Sequence, residues 1–80
     1  MRERDIEEYL RKEVKKAGGK AYKFVSPGNS GVPDRVLLFP GGKALFVETK
    51  APGKKTTPLQ ELQCRKIREL GFEVYVIDSK

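Results

Sequence analysis

Over the first seventeen residues Ile6, Leu10, Val14 and Ala17 recur every three to four positions. That spacing predicts an amphipathic helix, which Gly18-Gly19 brings to a stop. Residues 20–25 are short and largely apolar through Ala21, Tyr22, Phe24 and Val25, and suit a strand. Ser26-Pro27-Gly28-Asn29-Ser30-Gly31 is a loop of small and turn-forming residues. Residues 36–39 are wholly apolar, Pro40-Gly41-Gly42 turns the chain back, and residues 43–50 complete a hairpin. A polar loop over residues 51–57 leads to Thr57-Pro58, which reads as a helix N-cap followed by proline at the first helical position. Leu59, Leu62, Ile67 and Leu70 are expected along the apolar side of that second helix, and Gly71 ends it. The last strand carries Phe72, Val74 and Val76 on one face, with Tyr75 and Ile77 also apolar.

The predicted order is α-β-β-β-α-β. A final strand reached through a helix lies parallel to its neighbour, so the fold class is α/β with a small mixed sheet flanked by helices. Eighty residues are read as a single domain, 1–80, and a core this small gains from self-association. Seventeen Lys and Arg against 11 Asp and Glu give net +6, which favours a polyanionic partner, nucleic acid before an anionic membrane. Acids alternate with the bases along the helices, which weakens the membrane reading. No apolar run approaches a membrane span and the charged N-terminus does not resemble a secretory signal. The one cysteine, Cys64, excludes an internal disulfide, so the expected compartment is a reducing cytoplasm.

The chain has no histidine and its only thiol is Cys64, so almost nothing besides its acids and amines could carry covalent chemistry. In Leu45-Phe46-Val47-Glu48-Thr49-Lys50 the strand alternation puts Glu48 and Lys50 on one face and Val47 and Thr49 on the other. The Glu-x-Lys spacing is weak evidence by itself, because Glu13-Val14-Lys15 repeats it in the first helix. Its position is stronger, since three apolar residues precede Glu48 and a charge ending a core strand needs a partner. Pro33 stiffens the entry of Asp34 into the preceding strand. In the predicted hairpin the start of one strand lies beside the end of the other, making Asp34 and Glu48 neighbours. Two close carboxylates repel unless a cation or a proton joins them, and oxygen ligands without histidine point to Mg²⁺ or Mn²⁺ as the cation. Lys54 and Lys55, after the catalytic strand, are placed for phosphate contacts, with Arg35 and Lys23 as further candidates. Arg11, Lys12, Lys15 and Lys16 are read as a solvated helix face within reach of flanking DNA.

Pro33-Asp34 followed by Glu48-Thr49-Lys50 in this element order resembles the PD-(D/E)xK nuclease superfamily, with its restriction-endonuclease-like core. Glu7 on the first helix, Ser26-Pro27-Gly28 leading to Gly31-Val32-Pro33-Asp34-Arg35, Lys50-Ala51-Pro52 and Gln60 sharpen the likeness to the VRR-NUC family. The resemblance runs from about Glu7 to Ile77. It implies a Mg²⁺- or Mn²⁺-dependent endodeoxyribonuclease that leaves 5′-phosphates and uses no organic cofactor. By the same resemblance Asp34 and Glu48 hold the metal, the Thr49 carbonyl is a backbone ligand, and Lys50 orients or deprotonates the attacking water or stabilises developing charge on the phosphate. Glu7 completes the acidic cluster, with Glu3 and Glu8 as rival helical acids. Gln60 serves the site, although Thr57-x-x-Gln60 also fits a capping box and Gln63 competes for the role. Ser26, on the loop before the motif, joins the nucleic-acid contacts. Likeness to the junction-resolving branch implies a homodimer acting on branched DNA such as a four-way junction. A non-catalytic nucleic-acid-binding module and an RNA-directed nuclease of the same fold are the competing readings.

Overall fold

Charge and capping fix where each helix begins. The first, α1 (Glu3–Lys16), places Glu3 and Asp5 in its first turn and Lys15 and Lys16 in its last, which opposes the helix dipole at both ends. The Asp5 carboxylate accepts from the Arg2 backbone N–H at 2.8 Å, supplying the start that no Ser or Thr provides. The second, α2 (Pro58–Glu69), opens with the capping box that its sequence predicts: Thr57 N–H donates to Gln60 Oε1 at 2.9 Å, and Gln60 N–H to Thr57 Oγ1 at 3.2 Å. Between and after these helices lie β1 (Lys20–Lys23), β2 (Arg35–Phe39), β3 (Lys43–Thr49) and β4 (Glu73–Ile77). This computed structural model describes residues 2–79.

The described strands form one sheet in the order β1-β2-β3-β4. The first two pairings are antiparallel and β4 joins β3 in parallel, as expected of a strand reached through a helix. Register assigns the faces. Ala21, Leu37, Phe39, Leu45, Val47 and Ile77 share the core with Leu10 and Val14 of α1. Phe46, Glu48 and Val74 fall on the opposite face by alternation. There Phe46 stacks against Phe24 and meets Phe72 edge-on, with ring centroids 5.4 and 5.7 Å apart.

Three details differ from the sequence reading. Strand β1 stops at Lys23, and Val25 stands 71% exposed, because only Phe24 N–H finds a partner beyond it, the Asp34 carbonyl at 2.8 Å. The buried side of α2 is rotated by about one residue from the leucines: Leu59 and Leu70 are exposed, whereas Gln60, Gln63 and Ile67 are half-buried and Cys64 is fully buried. Ala17, expected on the apolar face of α1, is its exposed C-cap.

Candidate active site

The chemistry gathers where the antiparallel β2–β3 pair meets the first turn of α2 and the first half of α1. The printed register pairs Arg35 with Val47, so Asp34 stands opposite Glu48, one step beyond the ladder. Burial along β3 rises toward this end, where Val47, Glu48 and Thr49 are all buried. Glu48 is only 5% exposed and Thr49 is 0% exposed. A strand that ends in its most buried residues, one of them a carboxylate, needs compensating partners.

Thr49 supplies partners for Asp34. Its backbone N–H donates to Asp34 Oδ1 at 2.9 Å and its hydroxyl to Asp34 Oδ2 at 2.6 Å. Both carboxylate oxygens are thereby held by one residue, which fixes the plane of the group. Glu48 is held from the other side. Gln60 Nε2 donates to Glu48 Oε2 at 3.3 Å, and Lys50 Nζ lies 3.5 Å from the same oxygen. Gln60 thus spends its oxygen on the helix cap and its nitrogen on Glu48, so the capping bond does not keep the amide from reaching Glu48.

Electrostatics mark this cluster as short of positive charge. Burial raises the Glu48 carboxyl above its ordinary range, and the nearby Asp34 charge raises it further, while Lys50 opposes both. Burial likewise raises the Glu7 carboxyl, reinforced by a hydrogen bond with Asp34 and by its charge, with Arg35 pulling the other way. Glu7 Oε1 lies 3.4 Å from Arg35 Nε, a buried nitrogen that has no hydrogen-bond partner of good geometry. Of the rival helical acids, Glu8 pairs with Lys12 on the exposed face at 3.6 Å and Glu3 reaches Glu7 only through its charge.

The donors fit a hard divalent cation. They are carboxylate oxygens, the Asp34 charge raises the Glu48 carboxyl, and the chain has no imidazole to compete. Among the described residues no group of three or more His, Cys, Asp or Glu side chains forms a closed metal cage.

The remaining candidates divide. Lys54 and Lys55 sit exposed on the loop that follows β3, and Lys23 is exposed at the end of β1. Arg35, expected to meet phosphate, has a side chain only 14% exposed and tied to Glu7, so it faces the acids and not solvent. Ser26 accepts from Asn29 Nδ2 at 3.0 Å and braces its own loop. Gln63 is half-buried on α2 without a bond to the acids. The sequence reading assigned Thr49 only a backbone carbonyl and placed its side chain away from the site. Its side chain does lie on the other face from Glu48, yet Asp34, at the mouth of the strand, turns to meet it. A hydroxyl between two charged residues on a buried strand end is the signal that could have pointed to it. Gly31, at φ +90°, brings the loop against α2 so closely that a Cβ there would stand 2.9 Å from Leu59 Cγ.

The described chain is thus a mixed sheet with paired acids and a lysine at one end. A family model for the VRR-NUC domain matches residues 2–80, and the chain belongs to that family. A solved structure described as a VRR_NUC domain superposes with a TM-score of 0.89 at 31% identity, covering 96% of this chain and 84% of its own. A protein named "Putative nuclease p44", from Acyrthosiphon pisum secondary endosymbiont phage 1, is 54% identical over 80 residues, which is all of this chain and 86% of that one. VRR-NUC nucleases are generally metal-dependent. Among the described residues no helix is long and apolar enough to cross a membrane.

Proposed function

We propose that the protein is a Mg²⁺- or Mn²⁺-dependent endodeoxyribonuclease that cuts branched DNA, such as a four-way junction, as a homodimer. The observation that carries this reading is a carboxylate buried to 5% exposure, Glu48, facing Asp34 with a lysine 3.5 Å away. Asp34, Glu48 and the Thr49 carbonyl would hold the cation. When bound, it supplies Lewis-acid charge to the phosphate and favours ionisation of water. The chain's own groups do the positioning. Thr49 fixes the Asp34 carboxylate, Gln60 fixes Glu48, and Lys50 is placed to hold or take a proton beside them. Glu7, whose carboxyl is raised in part by a hydrogen bond with Asp34, would add a third acid beside the pair.

Support for the dimer comes from the outer edge of the sheet. Strand β4 ends the strand order, and Leu70, Phe72, Tyr75 and Val76 are exposed on or beside it, more apolar surface than a small monomer needs to show. A two-fold dimer would present two sites to the two equivalent strands of a four-way junction.

The test is cleavage of an end-labelled four-way junction in Mg²⁺ or Mn²⁺. Wild type is expected to cut and leave 5′-phosphates, and Asp34→Ala to bind without cutting. Equal cutting of junction and linear duplex removes the branched-DNA assignment, and preferential digestion of a matched RNA duplex removes the DNA assignment. A wild type that binds and never cuts in either metal leaves only a nucleic-acid-binding module.

A further inference from the structure

A half-open groove of about 490 Å³ lies away from the acids, lined by Arg11, Lys12, Lys15, Gly19, Lys20 and Ala21. Four of those six residues are cations and none is an acid or a large apolar residue. Lys12 pairs with Glu8, but Arg11 and Lys15 have no acidic partner among the described residues. Lys20 leans over the Tyr22 ring, 5.0 Å from its centroid. The floor consists of the small residues Gly19 and Ala21. A Cβ on Gly19 would lie 2.7 Å from both the Leu38 carbonyl oxygen and the Phe39 ring, so only glycine fits that position.

The groove is aligned with the candidate active site by two independent measures. Arg11 and Lys15 follow Glu7 by four and eight residues on the same side of α1, about 6 and 12 Å along its axis. Lys20 precedes Phe24 by four residues, and Phe24 N–H is bonded to the Asp34 carbonyl, so Lys20 lies about 13 Å from Asp34 along the strand. Helix rise and strand rise therefore put Lys15 and Lys20 at about the same distance from the acids, with Arg11 about halfway. Measured along a duplex axis at ~3.4 Å per nucleotide, the range from Arg11 to Lys20 covers about two to four nucleotides.

We infer that this groove binds the phosphate backbone of the DNA arm flanking the cleaved bond, about two to four nucleotides from it. The inference rests on the nuclease reading for its substrate. A rim of four cations, of which Arg11 and Lys15 have no acidic partner among the described residues, over a floor of small residues suits a strand of phosphates and gives register without reading sequence. An anionic membrane is the poorer occupant, because nothing apolar rims the groove to enter a bilayer.

The deciding measurement is binding of a fluorescein-labelled four-way junction by full-length protein, by anisotropy in EDTA from 50 to 200 mM KCl. The Arg11→Gln/Lys15→Gln double variant is expected to lower the slope of log affinity against log salt by about 2 relative to wild type. Lys20→Gln is expected to lower it by about 1 and serves as a second variant should the first lose its fold by circular dichroism. An unchanged slope in correctly folded variants overturns the inference, as does loss of binding only to phosphatidylserine vesicles. In Mn²⁺, shortening the arms from ten to two base pairs on each side in turn should slow wild-type cleavage for one side only, and leave the double variant indifferent. Insensitivity of the wild type to both arms also overturns it. A wild type that shows the slope difference but never cuts keeps the groove and removes the nuclease reading, whereas one that binds no DNA removes both.

Discussion

The two ends of β3 are built on opposite rules. At the hairpin end Lys43 is exposed and faces Glu73 across the surface at 3.4 Å, while Ala44, Leu45 and Phe46 are half-buried. At the other end the polar residues Glu48 and Thr49 are the more deeply buried, and their bonds run to Asp34, Gln60 and Lys50. A strand selected only for stability would place its charges where water can reach them. The reversal at one end, with repulsion between Asp34 and Glu48 left partly uncancelled, is what a site waiting for a cation and a phosphate needs.

Making the two ends alike should have its largest effect at Glu48. Glu48→Gln keeps the shape and removes the buried charge, so cleavage should fall about a thousandfold or more. Stability should hold or rise by about 1 kcal/mol, because an unfavourably buried charge is gone. Opposite signs for activity and stability, measured by cleavage rate and thermal melt, are the signature. A variant that loses both in step would mean that Glu48 merely supports the fold. Thr49→Val comes next. It keeps the volume but leaves Asp34 Oδ2 without its 2.6 Å donor, so the expected cost is about 1–3 kcal/mol. Cleavage should fall about 10- to 100-fold, as for other groups that orient a ligand, with partial rescue by Thr49→Ser and an unchanged KM. Full activity in Thr49→Val would show that the carboxylate needs no such clamp.

Gln60 separates helix support from site support within one side chain. Gln60→Glu can still accept from Thr57 N–H and so preserves the capping box, but it loses the amide donor and sets a third negative charge against Glu48. The helix should stay intact by circular dichroism while cleavage drops about tenfold. This residue also shows what was legible beforehand. Element order, the parallel last strand, the capping box and the meeting of Asp34 with Glu48 could all be read, because each follows from local chemistry or from hairpin register. The buried face of α2 could not. Its leucines suggested one face, but packing turned Gln60, Gln63 and Cys64 inward and left Leu70 77% exposed. Periodicity counts apolar residues and is blind to an amide that is drawn inside by a carboxylate on another strand. The Thr49 clamp was hidden for a related reason: alternation gives the face of a strand residue, not the turn of a partner entering at the strand's mouth.

In metal-free protein the acidic end should also make stability depend on pH. Glu7 and Glu48 both have carboxyls raised above the ordinary value of 4.5 in the folded state. Below 4.5 the folded and unfolded forms are both protonated and no penalty exists. Between that value and the raised native ones the folded form holds more protons, so stability falls as pH climbs, and the loss is complete once both are ionised. Thermal melts in EDTA should fall across that window for wild type and less for Glu48→Gln. A melting temperature that rises through it would contradict the buried-acid picture.

The hairpin end gives the smallest effect and the control for the rest. Glu73 has its carboxyl lowered by the Tyr75 hydroxyl first and by Lys43 second, so its ion pair is only part of what holds it. Exposed pairs of this kind contribute little in water, and salt screens what remains. Lys43→Gln should therefore leave cleavage rate, melting temperature and the pH dependence of the melt as they are in wild type. Should Lys43→Gln instead slow cleavage as Thr49→Val does, the two ends would be coupled through β3, and the contrast between an ordinary strand start and a specialised strand end would not hold.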